Sequence, residues 1–231
     1  MLYKEELDMN NFVEVMVLVE GRTEKFFIDQ LLSPYLAEKN IFLRSTLLSK
    51  PIQKGGDVKF IRVQRDIGNH LKERKDTYVT LMVDYYGIKD WVGLDESKRQ
   101  PTHTQKAEII NQVTAQEVQR LFPEQNQDRR FIPYVSMHEI EALYFSNPAI
   151  LAQETKIKQV VIDSILQNCV EPEAINDNPK TAPSKRLEQH SSTFRKTKNG
   201  IAIAQAIGIP QMRKQCPLFN EWIKKLESLR K

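Results

Sequence analysis

The chain has 231 residues, 40% apolar and 28% charged, with a net charge of +4; that balance suits one large cored α/β domain, or one domain plus a helical appendage. No apolar run approaches the ~20 residues of a membrane helix, and the segment from Met1 to Asn11 is too polar and acidic for a secretory signal. Cys169 and Cys216 form no CxxC pair, which argues against a disulfide framework or zinc knuckle and fits a cytoplasmic chain in a reducing compartment.

Val13 to Val19 is β-branched and nearly continuous in apolar residues, the pattern of a buried parallel strand. Glu20-Gly21-Arg22-Thr23 interrupts it. A helix with Phe27 and Leu31 on one stripe is predicted next, ending near Ser33-Pro34. Ile41 to Leu48 reads as a second strand. Lys54-Gly55-Gly56-Asp57 reads as a loop with helix-start chemistry; its glycine pair could cradle a phosphate, although a turn is the plainer reading. Phe60, Val63, Ile67 and Leu71 recur at helical spacing. Tyr78 to Val83 is a third strand, ending at Asp84-Tyr85-Tyr86-Gly87. Gly87 to Thr104 reads as a loop over the carboxyl edge of the sheet, and Gln105 to Leu121 as a helix. Phe131 to Val135 is a fourth strand despite Pro133, and from Met137 the pattern turns helical.

After Asn147-Pro148 no strand pattern remains; Ile150 to Leu166 and Phe219 to Leu229 read as helices around a polar stretch from Asn176 to Asn199. Phe219, Trp222 and Leu226 form the buried stripe of the last helix. The alternation of strand and helix predicts a mainly parallel four-stranded sheet flanked by helices. Residues 1–148 form the core and residues 149–231 a helical, basic extension packed on it.

Three of the four strands are followed by acid: Glu20 after the first, Asp84 after the third, Glu139 and Glu141 after the fourth. Open parallel sheets bind ligands at the carboxyl ends of their strands. Carboxylates gathered there repel one another unless a cation intervenes, and Mg²⁺ takes oxygen ligands while keeping several waters. Each acid also has a plain structural reading as a helix-start or turn-capping group; three in one chain favour a shared site. Glu139 and Glu141 stand about 200° apart on a helical wheel, so both reach one site only if the helix begins there. His138 shares a face with Glu141 and could orient a carboxylate or a metal-bound water, or simply make a backbone contact at a helix start.

Residues 180–231 carry 12 Lys and Arg against 3 Asp and Glu, so +9 lies there and −5 on the rest. A basic section beside an acidic body suits a polyanion held near a metal, as well as a merely solvated surface. Lys185, Arg186 and Lys196 are its candidate phosphate contacts. Tyr85 and Tyr86 could stack a base, with packing as the plainer use. Ser136 and Ser184 lack a supporting histidine and acid arrangement, which argues against a serine hydrolase.

Val19-Glu20-Gly21-Arg22-Thr23-Glu24 resembles the first TOPRIM motif, a glutamate after the first strand. Leu81-Met82-Val83-Asp84-Tyr85-Tyr86 resembles the second, usually Asp-x-Asp, with Tyr86 in place of the second acid. The whole chain is more closely similar to domain-of-unknown-function family 4276, a bacterial family of small TOPRIM-like proteins. Further matching points are Phe131-Ile132-Pro133-Tyr134, His138-Glu139-Ile140-Glu141-Ala142-Leu143, Ala182-Pro183-Ser184-Lys185-Arg186-Leu187 and Cys216-Pro217-Leu218-Phe219 with Trp222. The resemblance implies a TOPRIM-like fold using Mg²⁺ or Mn²⁺ at Glu20, Asp84, Glu139 and Glu141 to cut DNA or RNA. It also implies a bacterial anti-phage setting and an ATPase partner. No GxxxxGK motif followed by Ser or Thr occurs, so that ATPase is expected to be a separate chain. A homo-oligomer remains compatible. The other reading is a catalytically silent interaction or sensor module of an ATPase complex, which the missing acid at Tyr86 keeps open; an RNase is a rival within the fold.

Overall fold

The computed structural model describes residues 12–49, 58–167, 169, 171–175 and 181–230. The first unit is β1 (Val13–Val19), α1 (Arg22–Phe27), a π turn (Ile28–Leu32), α2 (Ser33–Ala37) and β2 (Ile41–Leu47). The helix passes the expected stop at Ser33-Pro34. Pro34 falls in the first turn of α2, where a missing N–H costs no helical bond, and the π turn absorbs the change of register.

Next come β3 (Val58–Lys59), α3 (Phe60–Glu73), β4 (Thr77–Asp84), β5 (Ile88–Lys89), α4 (Leu94–Lys98), α5 (His103–Leu121) and β6 (Phe131–Ser136). The stretch from Gly87 to Thr104 is thus not a bare loop. β5 pairs in parallel with β3, and α4 starts from Gly93, whose φ of 74° is the left-handed conformation that glycine tolerates. After β6 a 3₁₀ helix (Ile140–Ser146) replaces the expected α-helix. It is followed by α6 (Pro148–Thr155), α7 (Gln159–Leu166), α8 (Pro183–His190), α9 (Lys196–Ile207), α10 (Ile209–Gln215) and α11 (Pro217–Glu227). The helix expected over Ile150 to Leu166 is broken at Lys156, which takes a φ of 60° and lets α7 fold back on α6. Among the described residues no strand follows β6.

The main sheet runs β2-β1-β4-β6, all parallel. β6 is an edge strand, which is how it accommodates Pro133. Phe131 and Val135 send their N–H groups off the ladder, to Asn126 Oδ1 at 3.0 Å and Asn111 Oδ1 at 2.8 Å. Strand N–H groups alternate in direction, so Pro133 occupies the same outward phase and removes no ladder bond.

Side-chain alternation feeds two cores. Val15, Val17 and Val19 face one side and pack with α1, α2 and the C-terminal helices, Trp222 and Phe219 among them. Leu18, Leu81 and Val83 face the other and pack with α3, α4 and α5. The section after residue 148 therefore closes one face of the sheet. Trp222 anchors it, stacking on Tyr134 at 4.5 Å and donating from Nε1 to Thr80 Oγ1 at 2.9 Å.

Candidate active site

Parallel pairing brings the strand ends to one edge. Val19, just before Glu20, pairs with Met82, two residues short of Asp84; Asp84 pairs with Ser136, three short of Glu139. The turn after β4 closes through Gly87 N–H donating to Asp84 O at 3.0 Å. A Cβ on Gly87 would stand 3.1 and 3.3 Å from the two carboxylate oxygens of Glu20. Glycine at this position lets the β4 turn lie directly against the β1 carboxylate.

The acids sense one another. Burial raises the Asp84 carboxyl to about 7, opposed by the Tyr86 N–H donated to it at 3.0 Å and assisted by Glu139 and Glu20. Desolvation, Glu24 and Glu139 push Glu20 upward too, although its solvent-exposed face admits water that screens the effect. Glu141 is 0% exposed, and burial raises it to about 8 against the pull of Lys196. Neither Glu141 oxygen accepts a hydrogen bond.

The 3₁₀ helix begins where both glutamates can turn inward. Glu139 is its N-cap, and Glu141 lies in its first turn. Lys196, at the start of α9, places Nζ 2.9 Å from Glu139 Oε1 and 3.3 Å from Glu141 Oε2. Ser184 N–H, at the start of α8, donates to Glu139 Oε2 at 3.1 Å. Burial opposes ionisation of Glu139, but Lys196 and Ser184 outweigh it and hold the carboxyl below its usual range. Burial also disfavours the Lys196 ammonium, yet Glu141 and Glu139 keep it charged well above its usual range.

The expected residues therefore divide. Glu20 and Asp84 share one part of the edge; Glu139 and Glu141 share Lys196. The lysine, read from sequence as a phosphate contact, is an internal counter-ion of the carboxylates. Sequence reasoning missed Glu24, which acts electrostatically on Glu20, Glu141 and Lys196; its place in the first turn after Glu20 was the available signal. Ser184 also went unrecognised as a donor; its backbone N–H and its side chain both favour the ionised Glu139.

His138 is buried, with its ring stacked on Tyr86 at 5.6 Å and its carbonyl accepting from Ser136 Oγ at 2.7 Å. Tyr86 is 36% exposed and also meets Tyr85 edge-on. Lys185 is exposed and pairs with Glu188 at 2.8 Å; Arg186 Nε donates to Thr181 O at 2.9 Å, bracing the entry to α8. Gly55-Gly56 lies outside the described residues.

Among the described residues, no three His, Cys, Asp or Glu side chains form a ready metal-ligating group. The donor chemistry nonetheless fits a hard divalent cation. All four acids offer oxygen, the buried Glu141 carboxylate is met by the Lys196 ammonium without a hydrogen bond, and burial displaces Asp84 and Glu141 upward.

No curated protein and no solved structure matches the chain. Residues 19–227 match the family described as a domain of unknown function (DUF4276). The chain belongs to that family.

Proposed function

We propose that this protein is a divalent-metal-dependent nuclease, or the nuclease subunit of a complex, acting on nucleic-acid phosphodiesters. The observation that carries the reading is that Glu20, Asp84 and Glu139 act electrostatically on one another at one sheet edge, with Glu141 joined to Glu139 through Lys196 and with Asp84 and Glu141 raised to about 7 and 8. Perturbed acids in such a position are a recurrent mark of a working site. Glu20, Asp84, Glu139 and Glu141 would hold Mg²⁺ or Mn²⁺. Such an ion, when bound, activates water and stabilises a departing oxygen. Lys196 keeps its proton and neutralises Glu139, and a charge held beside the carboxylates can also face a phosphate. An ATPase on a separate chain and an anti-phage role belong to the same proposal.

A specific observation supports the second reading, a catalytically silent interaction module. Lys196 already compensates two of the acids, and the resemblance to the second TOPRIM motif puts Tyr86 where a second acid would be expected. Calorimetric titration with Mn²⁺ at pH 8 separates the two. Binding that disappears in Asp84→Asn supports the metal site. Absence of binding by the unsubstituted chain would favour the module.

A further inference from the structure

Helix α3 carries a feature that the carboxylate site does not use. Ile61, Arg62, Arg65 and Lys72 recur at helical spacing on its outer face and, with Phe122, line an open groove of about 560 Å³. No carboxylate is among the described residues lining it. The two acids of α3 are engaged elsewhere. Asp66 accepts from Ser49 N and Oγ at 2.8 and 2.7 Å, and Glu73 lies 3.4 Å from His70. The floor is aromatic: a Cβ on Gly68 would fall 2.4 Å from the Phe122 ring, so the absent side chain lets that ring lie on the helix backbone. Lys72 Nζ sits 5.7 Å over the same ring, and Ile61 is 67% exposed at the other end.

The N-terminal end of α3 is tied to the carboxylate edge through β3. α3 follows β3 directly, and Val58 N–H donates to Gly87 O at 3.1 Å. Gly87 is the residue whose turn abuts Glu20. From Arg62 to Lys72 the helix rises about 15 Å, the axial length of roughly four phosphates of one duplex strand.

We propose that this groove binds the phosphate backbone of the nucleic acid presented to the strand-end carboxylates. The identity of the polyanion rests on the function proposed above; the cationic track rests on α3 alone. Guanidinium groups suit phosphate because they can donate two parallel hydrogen bonds. An acidic protein is the less suitable occupant, because only Ile61 and the Phe122 ring offer it apolar surface. The basic C-terminal section is correspondingly less involved: Arg186 braces a loop and Lys196 serves the acids.

The test uses the full chain in EDTA, so that binding is read without cleavage. Fluorescence anisotropy would follow labelled single-stranded DNA, duplex DNA and single-stranded RNA between about 50 and 200 mM salt. The triple variant Arg62→Gln, Arg65→Gln, Lys72→Gln should weaken binding at least tenfold and flatten the log–log salt slope by about 2 to 3. Lys185→Gln should leave the slope unchanged. If the triple variant melts early, Arg65→Gln alone should flatten the slope by about 1. Wild-type affinity and slope in these variants would overturn the track, as would failure of the unsubstituted chain to bind any probe. Neither result touches Mn²⁺ binding at Asp84, which tests the nuclease reading separately; binding without cation chemistry would keep the track and remove the nuclease.

Discussion

Lys196 holds two carboxylates at once, and its removal would expose the cost of the site without a cation. In Lys196→Met, Glu139 loses an ion pair and Glu141 the ammonium 3.3 Å away. Breaking a buried pair from one side typically costs about 3 to 5 kcal/mol. Denaturant unfolding should show a large loss at pH 8.5 and a smaller one at pH 6, where Glu141, raised to about 8, already holds a proton. An equal loss at both values would show that Lys196 acts through packing. Asp84 and Glu141 also set a pH dependence. Their folded values lie above the unfolded ones, so their stabilising contribution is complete below about pH 4. It is lost as pH climbs through about 7 and 8. Glu139, held low, works in the opposite sense, contributing above its unfolded value and losing that contribution as pH falls. Metal-free Tm should therefore decline between pH 5 and 8.5, and Asp84→Asn should flatten the decline and add about 1 to 2 kcal/mol at pH 8. A steeper decline in that variant would contradict the assignment. Gly87→Ala should impair cation binding while changing stability little, because its Cβ would press on the Glu20 carboxylate 3.1 Å away; unaltered Mn²⁺ affinity would show that Glu20 can retreat. The four acids were readable because each follows an apolar strand. The Lys196 partnership was not, since the lysine lies 57 positions from Glu139 and only the return of α9 brings them together.

The four strands could be read from β-branched apolar runs, and their parallel sense, though not their order, from the alternation with helices. Local breaks were harder to foresee, because tertiary packing decides them. Pro34 starts a helical turn instead of ending one, Pro133 survives through its outward phase on an edge strand, and Lys156 takes a left-handed bend that nothing in its own chemistry demands. The 3₁₀ geometry after β6 matters most: it seats Glu139 as a cap and Glu141 in the first turn, which resolves how residues two apart can both reach Lys196. Helix α11 is held by Trp222 on Tyr134 and by Glu173, which accepts from Leu218 N and Phe219 N at 2.8 and 2.9 Å. Trp222→Ala should cost about 3 to 5 kcal/mol through the cavity and the lost hydrogen bond to Thr80. A drop in Tm measured by calorimetry checks this; a loss near zero would mean that α11 contributes little to closing the sheet.

At the scale of the molecule, the chain after residue 148 shares a core with β1 and closes one sheet face, while α3 and α5 close the other. That arrangement leaves the carboxyl edge as the place where strand-end acids, Lys196 and the start of α3 come together. No described helix is long and apolar enough to cross a membrane. The charge asymmetry seen in sequence does not by itself locate a binding face: Lys196 serves the carboxylates, and the proposed phosphate track lies on α3, where no carboxylate lines the groove among the described residues. The most direct test of the central claim is cleavage of labelled plasmid, linear duplex, single-stranded DNA and structured RNA with Mg²⁺ or Mn²⁺, comparing the unsubstituted chain with Glu20→Gln and Asp84→Asn. The account predicts metal-dependent cleavage that both substitutions abolish while the fold persists; cleavage surviving in both variants, or none by the unsubstituted chain on any substrate, would contradict it.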